Sequence, residues 1–131
     1  MAGNTLVPED GYFKPVAELL ERLRREFGDK ITIDKTKGRE SVLGSVAYMK
    51  RLRDRGNPRY SDEDIAELES KADESYWVRV YDPDMSVSWD VTTTLVPDED
   101  IVVGYSSPEE QDAVRPLLER FARAIEYDID W

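Results

Sequence analysis

"YWVRVYDPDMSVSWDVTTTLVPDEDIVVGY", residues 76–105, is where the chain changes from a helical to a strand-like period. Val, Thr, Tyr and Trp crowd the stretch, and "DPD" (82–84) and "PDED" (97–100) punctuate it. β-branched and aromatic residues suit a pleated, half-buried surface, whereas Pro with Asp marks turns. The pattern predicts three strands in an antiparallel meander. A period of two sorts Val78, Val80, Val87, Trp89, Val91, Leu95, Ile101 and Val103 toward a core. Trp77, Arg79, Tyr81, Ser88, Asp90, Thr92 and Thr94 fall on the other face. Trp89 is therefore expected in the core, and Trp77 is not expected to be fully buried. The far face reads either as an open contact surface or as one covered by the N-terminal dozen residues or the C-terminal tail.

Helical patterns flank this stretch. Pro15 followed by Val16, Leu19, Leu20, Leu23 and Phe27, with Gly28 beyond, predicts a first helix. "KITID" (30–34) reads as a short strand. Val42, Val46 and Met49 recur at helical spacing from about Glu40 to Arg55, ahead of Gly56 and Pro58. Ser61 with Asp64 resembles a capping box for a third helix bearing the narrow apolar stripe Ile65, Leu68 and Ala72. Ser107, Pro108 and Glu110 start a last helix that buries Val114, Leu117, Leu118, Phe121 and Ile125; Pro116 inside it is expected to kink or split it. The whole is an α+β fold, a two-layer sandwich with a largely antiparallel sheet and about four helices on one face. One domain spans residues 1–131, with 1–12 as an N-terminal tail or arm and 126–131 as an edge strand or docking tail.

Composition restricts the chemistry. The chain has no Cys and no His, so the commonest nucleophile–base pairs and metal ligands are missing. No stretch has the length of a signal peptide or a membrane span, so a cytoplasmic protein is expected. The net charge is -11, unevenly spread: residues 1–29 carry -2, residues 30–60 carry +6 and residues 61–131 carry -15. Such polarity bears on partners and association, not on fold. It argues against direct nucleic-acid contact and anionic membranes. An acidic surface also simply keeps a protein soluble or suits a salty cytoplasm. Self-association, basic part to acidic part, is open to a chain of this kind.

Three motifs invite chemistry. "KTKGRES" (35–41) places Lys35, Lys37 and Arg39 around one glycine after a strand, but lacks the spacing of phosphate-cradling loops. "DPDMSVSWD" (82–90) has the odd spacing of a calcium loop, with Val87 in place of its glycine and Thr93 in place of its closing Glu. A turn accounts for it better, and neither a metal nor a cofactor is expected. Paired carboxylates are abundant but unspecific, so an enzyme is not expected. The leading reading is a non-catalytic acidic protein that docks onto a basic protein partner, a toxin or a nucleic-acid-binding protein, as an immunity-like inhibitor or nucleic-acid mimic. Its candidate residues are Glu63, Glu67, Glu74, Asp98, Glu99 and Asp100 for charge, with Trp77, Arg79 and Tyr81 as contacts. The alternative is a small-ligand or phosphoester-handling domain using Lys35, Lys37 and Arg39.

Overall fold

Antiparallel strands carry the architecture. A computed structural model describes residues 2–85 and 89–131. In chain order it contains β1 (Ala2–Pro8), α1 (Val16–Phe27), β2 (Ile31–Asp34), α2 (Lys35–Asp54), α3 (Asp62–Ser70), β3 (Tyr76–Val80), β4 (Val91–Leu95), β5 (Ile101–Tyr105), α4 (Pro108–Ile125) and β6 (Tyr127–Asp130). Short 3-10 turns at Gly28–Lys30 and Ala72–Glu74 lead into β2 and β3. One three-stranded sheet has the order β5-β1-β6 and the other β2-β3-β4, with every pairing antiparallel. The two meet where β4 lies beside β5, and the Thr93 hydroxyl donates to the Val102 carbonyl at 2.7 Å. Four helices with antiparallel sheets make this the α+β fold that the sequence predicts.

The apolar spacing read for α1 and α4 is the buried spacing. Leu19, Leu23, Phe27, Val114, Leu117, Leu118, Phe121 and Ile125 pack on Leu6, Val78, Val80, Val91, Leu95, Ile101 and Val103, drawn from both sheets. Both helix starts are capped by their serines: the Asp64 N–H donates to Ser61 Oγ (3.1 Å) and the Glu110 N–H to Ser107 Oγ (3.2 Å), while the Glu110 carboxylate accepts the Ser106 N–H (2.8 Å). Such caps satisfy donors that a helix start leaves orphaned. α2 and α3 build a second core from Val42, Val46, Ile65 and Ala72, with Leu43, Met49, Tyr60, Leu68 and Val96 against it. α2 runs over the far face of β3 and β4, where Ser41 and Thr94 share a hydrogen bond of 3.0 Å. Trp77 is thus half-buried under α2, not under either terminus, with the Lys37 ammonium 4.3 Å from its ring centre.

Four expectations need correction. Residues 2–8 are no tail or arm but β1, the central strand of its sheet. Its inward positions are Asn4 and Leu6, so a buried amide stands where the apolar alternation would have shown. Trp89 is 40% exposed, because β4 begins only at Val91 and Trp89 and Asp90 lie outside any strand. α2 starts at Lys35, not near Glu40, since the Asp34 carboxylate accepts the Lys37 N–H (2.9 Å) and caps the helix there. Of the kink or split expected at Pro116, the split is excluded: α4 runs through it, and Pro116 lies on the exposed face, where a carbonyl deprived of its donor can turn to water. Val87 and Ser88 lie outside the described residues. β6 is an edge strand paired with β1.

Candidate functional site

The turn Pro97–Asp100 between β4 and β5 brings several of the acidic candidates together. Asp98 adopts φ 56°, a left-handed conformation that Asp tolerates better than most residues. On one side of the turn lies α3, and Lys71 beyond its end joins the two: its Nζ is 3.1 Å from Glu99 and 3.6 Å from Glu67. Burial works against the Lys71 charge. The hydrogen bond to Glu99 and the charges of Glu99, Glu67 and Asp98 outweigh it, and the ammonium is held above its ordinary pKa. Asp64, Glu67 and Glu99 rim a depression of about 360 Å³ whose apolar lining is Met49, Leu68 and Val96. Among the described residues, Glu63, Asp64, Glu74, Asp98 and Asp100 have no basic side chain within 4 Å.

The opposite flank of α3 differs. Lys50 meets Glu69 at 3.3 Å, Arg39 meets Asp73 at 2.8 Å, and Arg53 pairs with Asp62. Part of the basic excess in residues 30–60 is thus matched inside the fold by acids of residues 61–131. Around the turn, by contrast, Glu67 and Glu99 share Lys71.

Five candidates from the sequence, Glu67, Glu74, Asp98, Glu99 and Asp100, gather at this turn. Glu74 and Asp98 share a groove with Tyr76 and Pro97, and Trp77 shares another with Asp100, Thr92 and Thr94. Glu63 is exposed on the first turn of α3, apart from the grooves named here. Arg79 pairs with Asp90, and Arg79 and Tyr81 line a shallow groove with Asp29, Lys30 and Thr32 at the other end of β3. Sequence reasoning missed Asp64, Lys71 and the apolar residues Met49, Leu68 and Val96. Val96 beside "PDED" was the available signal, an apolar residue abutting an acidic turn.

The basic motif resolves into helix geometry. Lys35 lies 5.9 Å from the Tyr76 ring centre, Lys37 covers Trp77 and Arg39 pairs with Asp73. Gly38 lets α2 approach β3: a Cβ there would come within 2.6 Å of Tyr76 Cα and nearer still to the Ser75 carbonyl oxygen.

Asp82, from the calcium-like motif, is buried between cations. Arg120 reaches it at 2.7 Å and Lys30 at 3.3 Å, and its Oδ1 accepts the Asp84 N–H at 3.0 Å. Arg120 also donates to the Glu26 carboxylate (2.7 Å) and carbonyl (3.0 Å) and lies over the Phe27 ring. The Asp84 N–H foremost, then Lys30 and Arg120, outweigh burial and hold the Asp82 carboxyl below its usual pKa. Its partners identify a structural latch that ties the loop after β3 to α1 and α4. Among the described residues, no group of three acidic side chains is placed to hold a metal ion, and no helix is long and apolar enough to cross a membrane.

No protein-family model matches the sequence, and comparison with curated proteins and with solved structures finds no significant match. The functional reading therefore rests on the site alone.

Proposed function

We propose that this is a non-catalytic binding protein that docks onto a basic protein surface through the turn at residues 97–100 and the adjoining side of α3. The carrying observation is the uneven neutralisation of α3. Its α2 side is ion-paired, whereas around the turn Glu67 and Glu99 share one ammonium and, among the described residues, Glu74, Asp98 and Asp100 have none within 4 Å. Crowded carboxylates repel one another, and Arg or Lys from a partner relieves that repulsion while steering the encounter. Met49, Leu68 and Val96 add apolar surface inside the acidic rim, the arrangement that lets a charged surface also hold what it attracts. An inhibitor of a toxin or of a nucleic-acid-binding protein fits this description, with carboxylates standing where phosphates would lie. The alternative, anion binding by Lys35, Lys37 and Arg39, has weaker support, because the Asp34 carboxylate already occupies the start of α2.

The test is association kinetics with the partner captured from the source cell, at two ionic strengths. Reversing Glu67, Asp98 and Glu99 to Lys should slow association roughly tenfold or more at low salt and change dissociation far less. An unchanged on-rate, with binding lost on Lys35, Lys37 and Arg39 substitution, would move the site to the start of α2.

A further inference from the structure

Beside the acidic turn, on the side away from α3, lies a groove of about 490 Å³ between the start of α1 and β3. Phe13, Pro15, Ala17, Leu20, Tyr76 and Pro97 supply apolar lining, and the rim toward the turn carries Glu74 and Asp98. Phe13 is 38% exposed and Ala17 is also exposed, so the groove opens to solvent. Asp73, also at the rim, is neutralised by Arg39, which leaves Glu74 and Asp98 as the acids there without a basic side chain within 4 Å among the described residues. Across the mouth, the Lys35 ammonium faces the Tyr76 ring.

We infer that this groove seats an aromatic side chain of the basic partner, carried on an extended segment with arginine beside it. The inference rests on the docking function proposed above and names what anchors it. An apolar concavity gives an aromatic ring a place to lose its water, and aromatic side chains with Arg are the types that dominate interface energies. Of the groove's charged lining, Lys14 meets Glu126 at 3.8 Å and Asp73 meets Arg39, so among the described residues Glu74 and Asp98 outnumber Lys35 as the groups left without an ion pair. An arginine next to the ring reaches Glu74 and Asp98, whose pairing with a forked guanidinium fixes the segment's direction. An acidic or purely aliphatic segment would leave those carboxylates repelled or unmatched. The anchor is thus set apart from Trp77 and Tyr81, because Trp77 is half-covered by α2 and Lys37.

The probe is the capped tripeptide Ac-Arg-Trp-Arg-NH2, titrated into the full ¹⁵N-labelled chain and followed by NMR. Saturable shifts should centre on the amides of Ala17, Leu20, Tyr76 and Asp98, with a dissociation constant in the millimolar range. Ac-Arg-Ala-Arg-NH2 should bind roughly tenfold more weakly, the order expected when an aromatic ring loses its pocket. Ala17→Phe fills the mouth without altering charge and should weaken the Trp peptide about tenfold, with an unchanged melting temperature showing that the fold survives. Equal binding of the Trp and Ala peptides would overturn the groove while leaving the acidic surface attractive to cations. Ac-Gln-Trp-Gln-NH2 binding as well as the Arg peptide would overturn the basic partner while leaving a groove that takes a ring. Absent or scattered shifts would overturn both. A dimer in sedimentation that Ala17→Phe dissolves would make the occupant a second copy of the chain, and the inference would fail.

Discussion

Among the described residues, the core under α1 and α4 draws twenty buried residues from both helices and from both sheets, whereas the core between α2 and α3 holds four: Val42, Val46, Ile65 and Ala72. The first is closed on all sides by elements far apart in sequence. The second is a thin layer on the far face of β3 and β4, held also by ion pairs such as Lys50–Glu69 and Arg39–Asp73 that are exposed and contribute little stability. Stability should therefore be concentrated in the first region, and the acidic turn is fixed by it, since Leu95 and Ile101 on either side of the turn belong to the larger core. The thin layer supplies charge and shape. A rigid scaffold that holds an exposed loop is the usual division between folding and recognition.

The difference can be broken most forcefully at Phe121, fully buried and 6.4 Å from Phe27 between ring centres. Phe121→Ala should cost roughly 3–5 kcal/mol in denaturant melts and abolish cooperative folding or nearly so. Ile65→Ala in the thin layer should cost about 2 kcal/mol, near the low end for such changes. Hydrogen exchange in the Ile65 variant should rise in α2 and α3 while α1 and α4 stay protected. A uniform rise would mean that the two cores form one cooperative unit.

The junction between the regions is Gly38. Alanine in a helix interior is favoured over glycine by about 1 kcal/mol. Here the added methyl would strike the backbone of Ser75 and Tyr76, which cannot swing aside as a side chain would. The clash should win, and Gly38→Ala should destabilise by roughly 1–3 kcal/mol in chemical denaturation. A stabilised variant would show that α2 is free to move off β3.

Asp82 sharpens the account of the larger region by pH. Its carboxyl titrates lower in the folded chain than in the unfolded one, so it stabilises above the unfolded value of about 3.9. That contribution is lost as pH falls through the folded pKa. Melting temperatures of wild type and Asp82→Asn should differ at neutral pH, begin to draw together near the unfolded value and converge only once the pH has fallen through the lower folded pKa. A gap that persists in acid would assign the effect to shape instead of charge. The smallest effect is expected at Trp89: being exposed, Trp89→Ala should change stability by less than about 1 kcal/mol.

That last value reverses the expectation from the sequence, and the reason is instructive. Alternation places Trp89 in phase with Val91 and Leu95, but the phase has meaning only where the backbone is extended, and β4 starts at Val91. β1 was hidden for the opposite cause. Its inward residues are Asn4 and Leu6, and its partners β5 and β6 lie about a hundred residues along the chain, beyond the reach of local pattern. Helices α1 and α4 were legible because Leu, Val and Phe at helical spacing have one plausible fate, and their start signals are local. Of the candidate site, the acidic residues were legible as charge. Their gathering at the turn at 97–100 was not, because the pairing of Asp62 and Glu69 on α3 with Arg53 and Lys50, and of Asp73 beyond it with Arg39, depends on how α2 packs.

The central claim is that the carboxylates around the turn serve recognition at some expense to the fold. Glu74→Gln, Asp98→Asn and Asp100→Asn together remove three charges that have no basic side chain within 4 Å among the described residues, and Asn suits the left-handed backbone at residue 98. The deciding measurement is the melting temperature of this triple variant at low salt. Relief of repulsion should raise it by roughly 1–3 °C, as expected when function rather than stability has placed the charges. A fall of several degrees would show that these carboxylates hold the structure together, and would contradict the account.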